Sequence, residues 1–180
     1  MKIDSRVQLV ALMKELKLPL VAVECGVAEG IFSKELLQMG IEWLYLIDIW
    51  DNVPFIPGCA SFEQSWHDKN YNEVKEKFND NERVTILRGF SYKMAEQIPD
   101  GSLGLVYVDA DHSYDGVKSD INVFLPKLIS GGIIAFHDYA NTGYGVGRAV
   151  IEYCARNNIE IHELREDGNI NNIGAYFIKQ

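Results

Sequence analysis

Four short apolar runs of this 180-residue chain each end in a residue that can bind a ligand or move a proton: Glu24, Asp48, Asp109 and His137. The first run, Leu20 to Val23, closes at Glu24 and enters Cys25-Gly26-Val-Ala-Glu29-Gly30. Gly26 permits a sharp turn, and Gly30 permits close packing of a following helix, which leaves a bare backbone shelf for a flat ligand. The dinucleotide fingerprint is G-x-G-x-x-G, whereas this chain has Glu24-x-Gly26-x-x-x-Gly30. A pyrophosphate seeks the positive end of a helix without competing anions. Glu24, and Glu29 in an expected first helical turn, disfavour it and suit a cationic or hydroxyl-bearing ligand. Trp43 to Ile47 is the next apolar run and ends at Asp48. An acid there, about twenty residues beyond the glycines, can accept both hydroxyls of a ribose, or can simply cap the next loop.

A second group of polar residues is Asp109, Asp111, His112, His137 and Asp138. One explanation is a divalent cation on Asp109, His137 and Asp138, since carboxylates and one imidazole leave positions open for water and for a ligand's oxygens. Such an ion lowers the pKa of a bound hydroxyl by several units. His112 follows Asp109 by three residues, and an imidazole with a pKa of ~6.5 suits a general base. The alternatives for His112 are a helix cap or a brace for Asp109.

These residues need a scaffold that brings strand ends together. Strands are expected at Leu20–Glu24, Trp43–Asp48, Val84–Arg88, Leu103–Asp109, Ile133–His137, Ile159–Leu164 and Ala175–Lys179. Helices are expected at Ser5–Leu16, Glu29–Met39, Phe62–Phe78, Ser91–Gln97, Tyr114–Leu128 and Gly145–Asn157. Alternation of the two implies an α/β fold with a mostly parallel sheet and helices on both faces. The loop Arg165 to Ile173 is too short for a crossover helix, so the last two strands should pair antiparallel. Right-handed crossovers then line Glu24, Asp48, Asp109 and His137 along one rim, where ligands bind. Asn52 to Asn70, with two prolines, Trp66 and His67, and Tyr139 to Tyr144 are candidate acceptor-binding loops or lids. The alternative for Trp66 is a core anchor.

The length suits one domain spanning 1–180. No apolar run approaches the ~20 residues of a membrane helix, and charges interrupt the N-terminal apolar patch, so neither a membrane span nor a secretion signal is expected. Cys25, Cys59 and Cys154 are scattered and odd in number, which points to a reduced, cytoplasmic setting rather than disulfides or a zinc cluster. A formal net charge of −9 repels nucleic acid. The expected partner is a small molecule, with a homo-oligomer compatible.

The runs Val108-Asp109-Ala-Asp111-His112-Ser-Tyr114-Asp-Gly116-Val-Lys118-Ser-Asp120 and Gly131-Gly-Ile-Ile-Ala-Phe-His137-Asp138-Tyr139, after the Glu24–Gly30 motif, resemble class I S-adenosylmethionine-dependent methyltransferases. The likeness is to the macrocin and sugar O-methyltransferase branch and covers nearly the whole chain. It implies a Rossmann-like seven-stranded sheet, mostly parallel with one antiparallel strand near the end. It implies S-adenosyl-L-methionine with Gly26 and Gly30 beside its methionine half, Glu24 near its ammonium group and Asp48 on its ribose. Trp50 or Phe90 would then lie against adenine and Ser91 at its edge, or the aromatics pack in the core and Ser91 caps a helix. Asp109 borders both cofactor and metal, and the neighbourhood of His112 carries the general base in metal-dependent relatives. Those relatives usually place two acids, or an acid and an amide, where this chain has His137-Asp138, so magnesium, manganese or a softer ion fits. Competing readings are methylation at nitrogen or carbon without a cation, a nicotinamide-dependent oxidoreductase, and a non-catalytic cofactor-binding protein.

Overall fold

The computed structural model describes residues 3–53, 62–166 and 169–180. A seven-stranded sheet runs in the order β3-β2-β1-β4-β5-β7-β6. Its strands are β1 (Val21–Cys25), β2 (Trp43–Asp48), β3 (Val84–Arg88), β4 (Leu103–Val108), β5 (Leu128–Phe136), β6 (His162–Glu166) and β7 (Asn169–Ile178). The helices are α1 (Leu9–Glu15), α2 (Ile31–Met39), α3 (Gln64–Phe78), α4 (Ser91–Met94), α5 (Tyr114–Phe124) and α6 (Val146–Asn157). β1 to β5 are mutually parallel, and β7 runs antiparallel to both β5 and β6. The expected single reversed strand is therefore β7.

The strands alternate their side chains between two cores. Ala22, Leu44, Leu46, Leu105, Tyr107, Ile133 and Ala135 face α1, α2 and α3. Val23, Cys25, Ile47, Val106, Val108, Ile134 and Phe136 face α5 and α6. Near-continuous burial of β4 and of the last five residues of β5 matches strands covered on both faces.

The strand order reverses between β1 and β4, the switch point where a crevice opens beyond the carboxyl ends. Backbone hydrogen bonds continue past the strand ends and hold the rim in register. Gly26 N donates to Ile47 O (2.8 Å), Asp109 N to Cys25 O (2.7 Å), His137 N to Val108 O (3.0 Å) and Gly89 N to Asp48 O (2.9 Å). The residues that follow four strands thus stand side by side.

Several boundaries differ from expectation, two of them by more than a turn's length. The helix expected to reach Leu128 ends at Phe124, a 3-10 turn containing Pro126 follows, and β5 begins at Leu128. Leu125 and Leu128 continue the helical periodicity, but Leu128 pairs with Leu103, and Gly131 adopts φ 80° within the strand. The expected loop Arg165 to Ile173 is largely strand, because β6 and β7 form a hairpin that outweighs the low strand preference of asparagine. Residues 54–61, with Cys59 and most of the expected Asn52–Ser61 loop, lie outside the described residues.

Candidate active site

A cleft of about 820 Å3 opens along this rim and is bordered by Glu24, Gly26, Asp48, Phe90, Ser91, Asp109, Asp111, His112 and Asp120 among others. Its volume lies toward the upper end of the ~300–1,000 Å3 of small-molecule pockets. Gly26 adopts φ +88°, and a Cβ there would overlap the carbonyl oxygen of Asp109. The glycine is thus required by the close approach of the chain leaving β4 as well as by the open shelf above it. Gly30 does something else. It is buried at φ +70°, and a Cβ would come within 3.1 Å of Phe78 and 3.2 Å of Val74. Gly30 makes room for α3 and does not border the cleft, in contrast to its expected place beside the ligand. Glu29 is exposed and precedes α2 rather than entering its first turn.

Asp48 is built into this loop. Its Oδ2 accepts hydrogen bonds from Val27 N (2.8 Å) and Ala28 N (2.9 Å), and its Oδ1 from Trp50 N (2.8 Å). Trp50 Nε1 donates to Ala28 O (2.9 Å), and the ring is 0 % exposed. Trp50 is therefore a core anchor that braces the β1 and β2 loops. Phe90, 39 % exposed and stacked on Tyr92 at 5.4 Å, presents an aromatic face to the cleft.

Glu24 sits on the α2 side of the sheet and is 3 % exposed. Ser33 Oγ donates to its Oε2. Burial pushes its carboxyl up to about 8; Ser33 and Arg6 oppose this, and Asp109 and Asp48 add to it. With the carboxyl raised to about 8, a cation bound beside it would favour its charged form. Arg6 borders the same end of the cleft, with its guanidinium 4.4 Å from the Phe32 ring centre and Nη1 3.4 Å from the Tyr107 hydroxyl. Nothing in the N-terminal sequence separates Arg6 from a solvated arginine.

On the other face of the sheet, Ser91 Oγ donates to Asp120 Oδ1 (2.5 Å). Asp120 was not singled out from the sequence; the signal was its place on a stripe of α5 with Val117, Ile121 and Phe124, where a charge is out of place. Burial raises its carboxyl to about 7, with Ser91 opposing and Asp111 adding.

The polar cluster forms as expected, and His112 joins it. One donor atom each from Asp109, His112, His137 and Asp138 lies within 4.8 Å of the others. His112 Nε2 is 3.1 Å from Asp109 Oδ1 and 3.5 Å from Asp138 Oδ2. His137 Nδ1 is 3.4 Å from Asp109 Oδ1 and 3.1 Å from Asp138 Oδ2. Two carboxylates and two imidazoles in this compass fit a divalent ion of intermediate hardness, such as manganese. Asp109 and His112 border the cleft directly. His112 stacks on Tyr144 (4.7 Å) and does not cap a helix; Ser113 does, its Oγ accepting from Gly116 N (3.0 Å). With Nε2 turned to the two carboxylates, His112 is placed to brace them. Asp111 also faces the cleft, and its Oδ1 accepts from Ser113 N (2.8 Å). A Cβ on Gly116 would overlap the Asp111 carboxyl. Trp66 is half-buried and stacks on Phe62 at 4.0 Å at the cleft wall, so it is not a core anchor.

A doubly wound sheet in this order, with a reversed β7 and an acid-lined crevice at its switch point, is the architecture of class I methyltransferases. Similar folds are the O-methyltransferase NovP (21% identical, TM-score 0.69, covering 97% of this chain and 77% of that one). CalS11, a TDP-rhamnose 3'-O-methyltransferase of calicheamicin biosynthesis, is 15% identical with TM-score 0.66, covering 96% and 78%. Spermidine synthase from Thermotoga maritima is 10% identical with TM-score 0.58, covering 97% and 57%, so the fold alone does not choose the chemistry. An uncharacterized protein, y4gI, of Sinorhizobium fredii is 34% identical over 62 residues, 34% of this chain, which spans only 7% of that relative. The sequence model of a methyltransferase domain family matches residues 23–139. The chain belongs to that family, and with it to the S-adenosylmethionine-dependent methyltransferases. No helix among the described residues is long and apolar enough to cross a membrane.

Proposed function

We propose that this protein methylates a hydroxyl oxygen of a small, uncharged metabolite or sugar derivative with the help of a divalent cation. The observation that carries the reading is the Asp109, His112, His137 and Asp138 cluster at the edge of the cleft. S-adenosylmethionine supplies an electrophilic methyl group on a sulfonium, and the cation supplies a Lewis acid that acidifies a hydroxyl. Asp109, His137 and Asp138 hold the ion, with His112 as a further ligand or a brace. Glu24 meets the cofactor's ammonium group and Asp48 its ribose. Asp111, held by Ser113, is the cleft carboxylate left to take the acceptor's proton. NovP and CalS11 are O-methyltransferases by name, which agrees with this choice over nitrogen or carbon.

The walls also speak to the acceptor. Glu24, Glu29, Asp48, Asp51, Asp109, Asp111 and Asp120 border the cleft, against Arg6 as the one lysine or arginine among the described residues there. Residues 54–61 contain no charged side chain to change that balance. A nucleoside diphosphate needs several cationic or amide donors, so a neutral acceptor with an apolar face for Phe62 and Trp66 is favoured over a nucleotide sugar. A reduced cytoplasmic setting goes with this reading, in which Cys25 and Cys154 are buried thiols.

Incubation with methyl-labelled S-adenosylmethionine and a metabolite pool, with and without a chelator, tests the proposal. Mass spectrometry should find the label on an ether oxygen of a neutral product, and the chelator should abolish it. Label on nitrogen, or full turnover with the chelator, would refute it.

A further inference from the structure

We propose that His112 ligates the cation rather than bracing its neighbours or taking a proton, and that with His137 it makes this a site for an ion of the iron-to-zinc series in preference to magnesium. The inference rests on the cation-assisted reading above and deepens it by naming the class of ion.

The two imidazoles converge on the same two oxygens. His112 Nε2 lies 3.1 Å from Asp109 Oδ1 and 3.5 Å from Asp138 Oδ2, and His137 Nδ1 lies 3.4 Å and 3.1 Å from that same pair. A ring nitrogen carries at most one hydrogen, so a brace needs one carboxylate per ring. Here each nitrogen meets two. Donors held about 2.1 Å from a shared ion stand about 3.0 Å apart in an octahedron and about 3.4 Å apart in a tetrahedron. The four nitrogen–oxygen separations fall close to that range. One ion among them would meet all four lone pairs.

The His112 ring is held from outside the cluster. It stacks on Tyr144 with 13° between the planes, and Gly145 N donates to His112 O (2.8 Å). A Cβ on Gly145 would overlap Tyr114 N, so the chain after β5 is pressed onto the chain after β4. A ring fixed between a tyrosine and two carboxylates is oriented as a ligand, in the way outer contacts orient metal-bound imidazoles. Asp111 is then left to take the acceptor's proton, in line with the function proposed above.

Donor chemistry selects the ion. Imidazole suits iron, nickel, copper and zinc, whereas magnesium prefers oxygen donors and keeps several waters. Two nitrogens and two carboxylates leave an octahedral ion two further positions, too few for magnesium's waters once an acceptor oxygen binds.

The test uses the full chain, stripped with a chelator and titrated calorimetrically with magnesium, manganese and cobalt chlorides, as wild type and as His112→Ala. The wild type should bind cobalt at least ~100-fold more tightly than magnesium, with manganese between them. Pulsed electron paramagnetic resonance of its manganese complex should show two directly bound nitrogens. His112→Ala should lower the cobalt-to-magnesium ratio at least ~10-fold and leave one bound nitrogen. Loss of a mere brace would weaken all three ions alike and keep the ratio, and that result overturns the inference. A smaller wild-type ratio, or fewer than two nitrogens on wild-type manganese, overturns it whether or not the variant folds. Ion binding through oxygen donors alone refutes only this inference; a wild type that binds none of the three ions takes down the cation-assisted reading with it.

Discussion

Glu24 and Asp120 show how a side chain's surroundings decide what its charge does. Both are acids that burial holds protonated well above the usual carboxylate range, to about 8 and about 7. A folded pKa above the unfolded one means that the native chain binds a proton which the unfolded chain releases. The stabilisation from Glu24 is therefore full below its ordinary 4.5 and is lost as pH rises toward 8. Glu24→Gln should match the wild type near the bottom of that window and exceed it at the top, by on the order of a few kcal/mol. Urea denaturation of both proteins across the range checks this; a constant difference would contradict it. The proposed metal-binding role of Asp109, His112, His137 and Asp138 gives a second expectation at this scale. Asp109→Ala should weaken manganese binding by more than the ~10–100-fold that loss of an outer-shell partner costs. Titration followed by the ion's paramagnetic resonance measures it, and unchanged affinity would remove Asp109 from the site.

Single elements carry the geometry between these residues. Gly26 follows β1 against the end of the neighbouring β4, so Gly26→Ala forces its Cβ into the Asp109 carbonyl and should destabilise the fold by at least ~2 kcal/mol. Chemical denaturation would read that loss. Gly116, by contrast, faces the Asp111 carboxyl on the first turn of α5. Gly116→Ala should displace Asp111, and turnover should fall at least ~10-fold with little loss of cofactor affinity, as for a mispositioned catalytic group. Kinetics and cofactor calorimetry on one preparation separate the two effects. The elements also show which signals survive in a sequence. β2 and β3 carried their full boundaries in apolar runs flanked by turn residues. The end of α5 did not, because Leu125 and Leu128 continue a helical pattern that the pairing of Leu128 with Leu103 overrides. The β6–β7 hairpin hid behind asparagines for the same reason: strand pairing, not local preference, makes it a sheet.

The architecture of the whole molecule was the most legible feature, since alternating strands and helices with a short final connection allow few topologies. Glu24, Asp48, Asp109, His137 and Asp138 were legible because polar residues after buried strands must fall on one rim. Arg6 and the true place of Gly30 were not, because each depends on a contact between segments far apart in sequence: Arg6 with Tyr107, and Gly30 with Phe78. At this scale the proposed function divides the cleft across the switch point, with nucleoside recognition assigned to the β1, β2 and β3 side and the acidic, imidazole-bearing cluster after β4 and β5. A crystal grown with S-adenosylhomocysteine and manganese, with data collected at the manganese absorption edge, tests that division directly. The nucleoside is expected between Glu24, Asp48 and Ser91, with an anomalous peak within coordination distance of Asp109, His137 and Asp138. A nucleoside outside the cleft, or a peak away from those three residues, would contradict it.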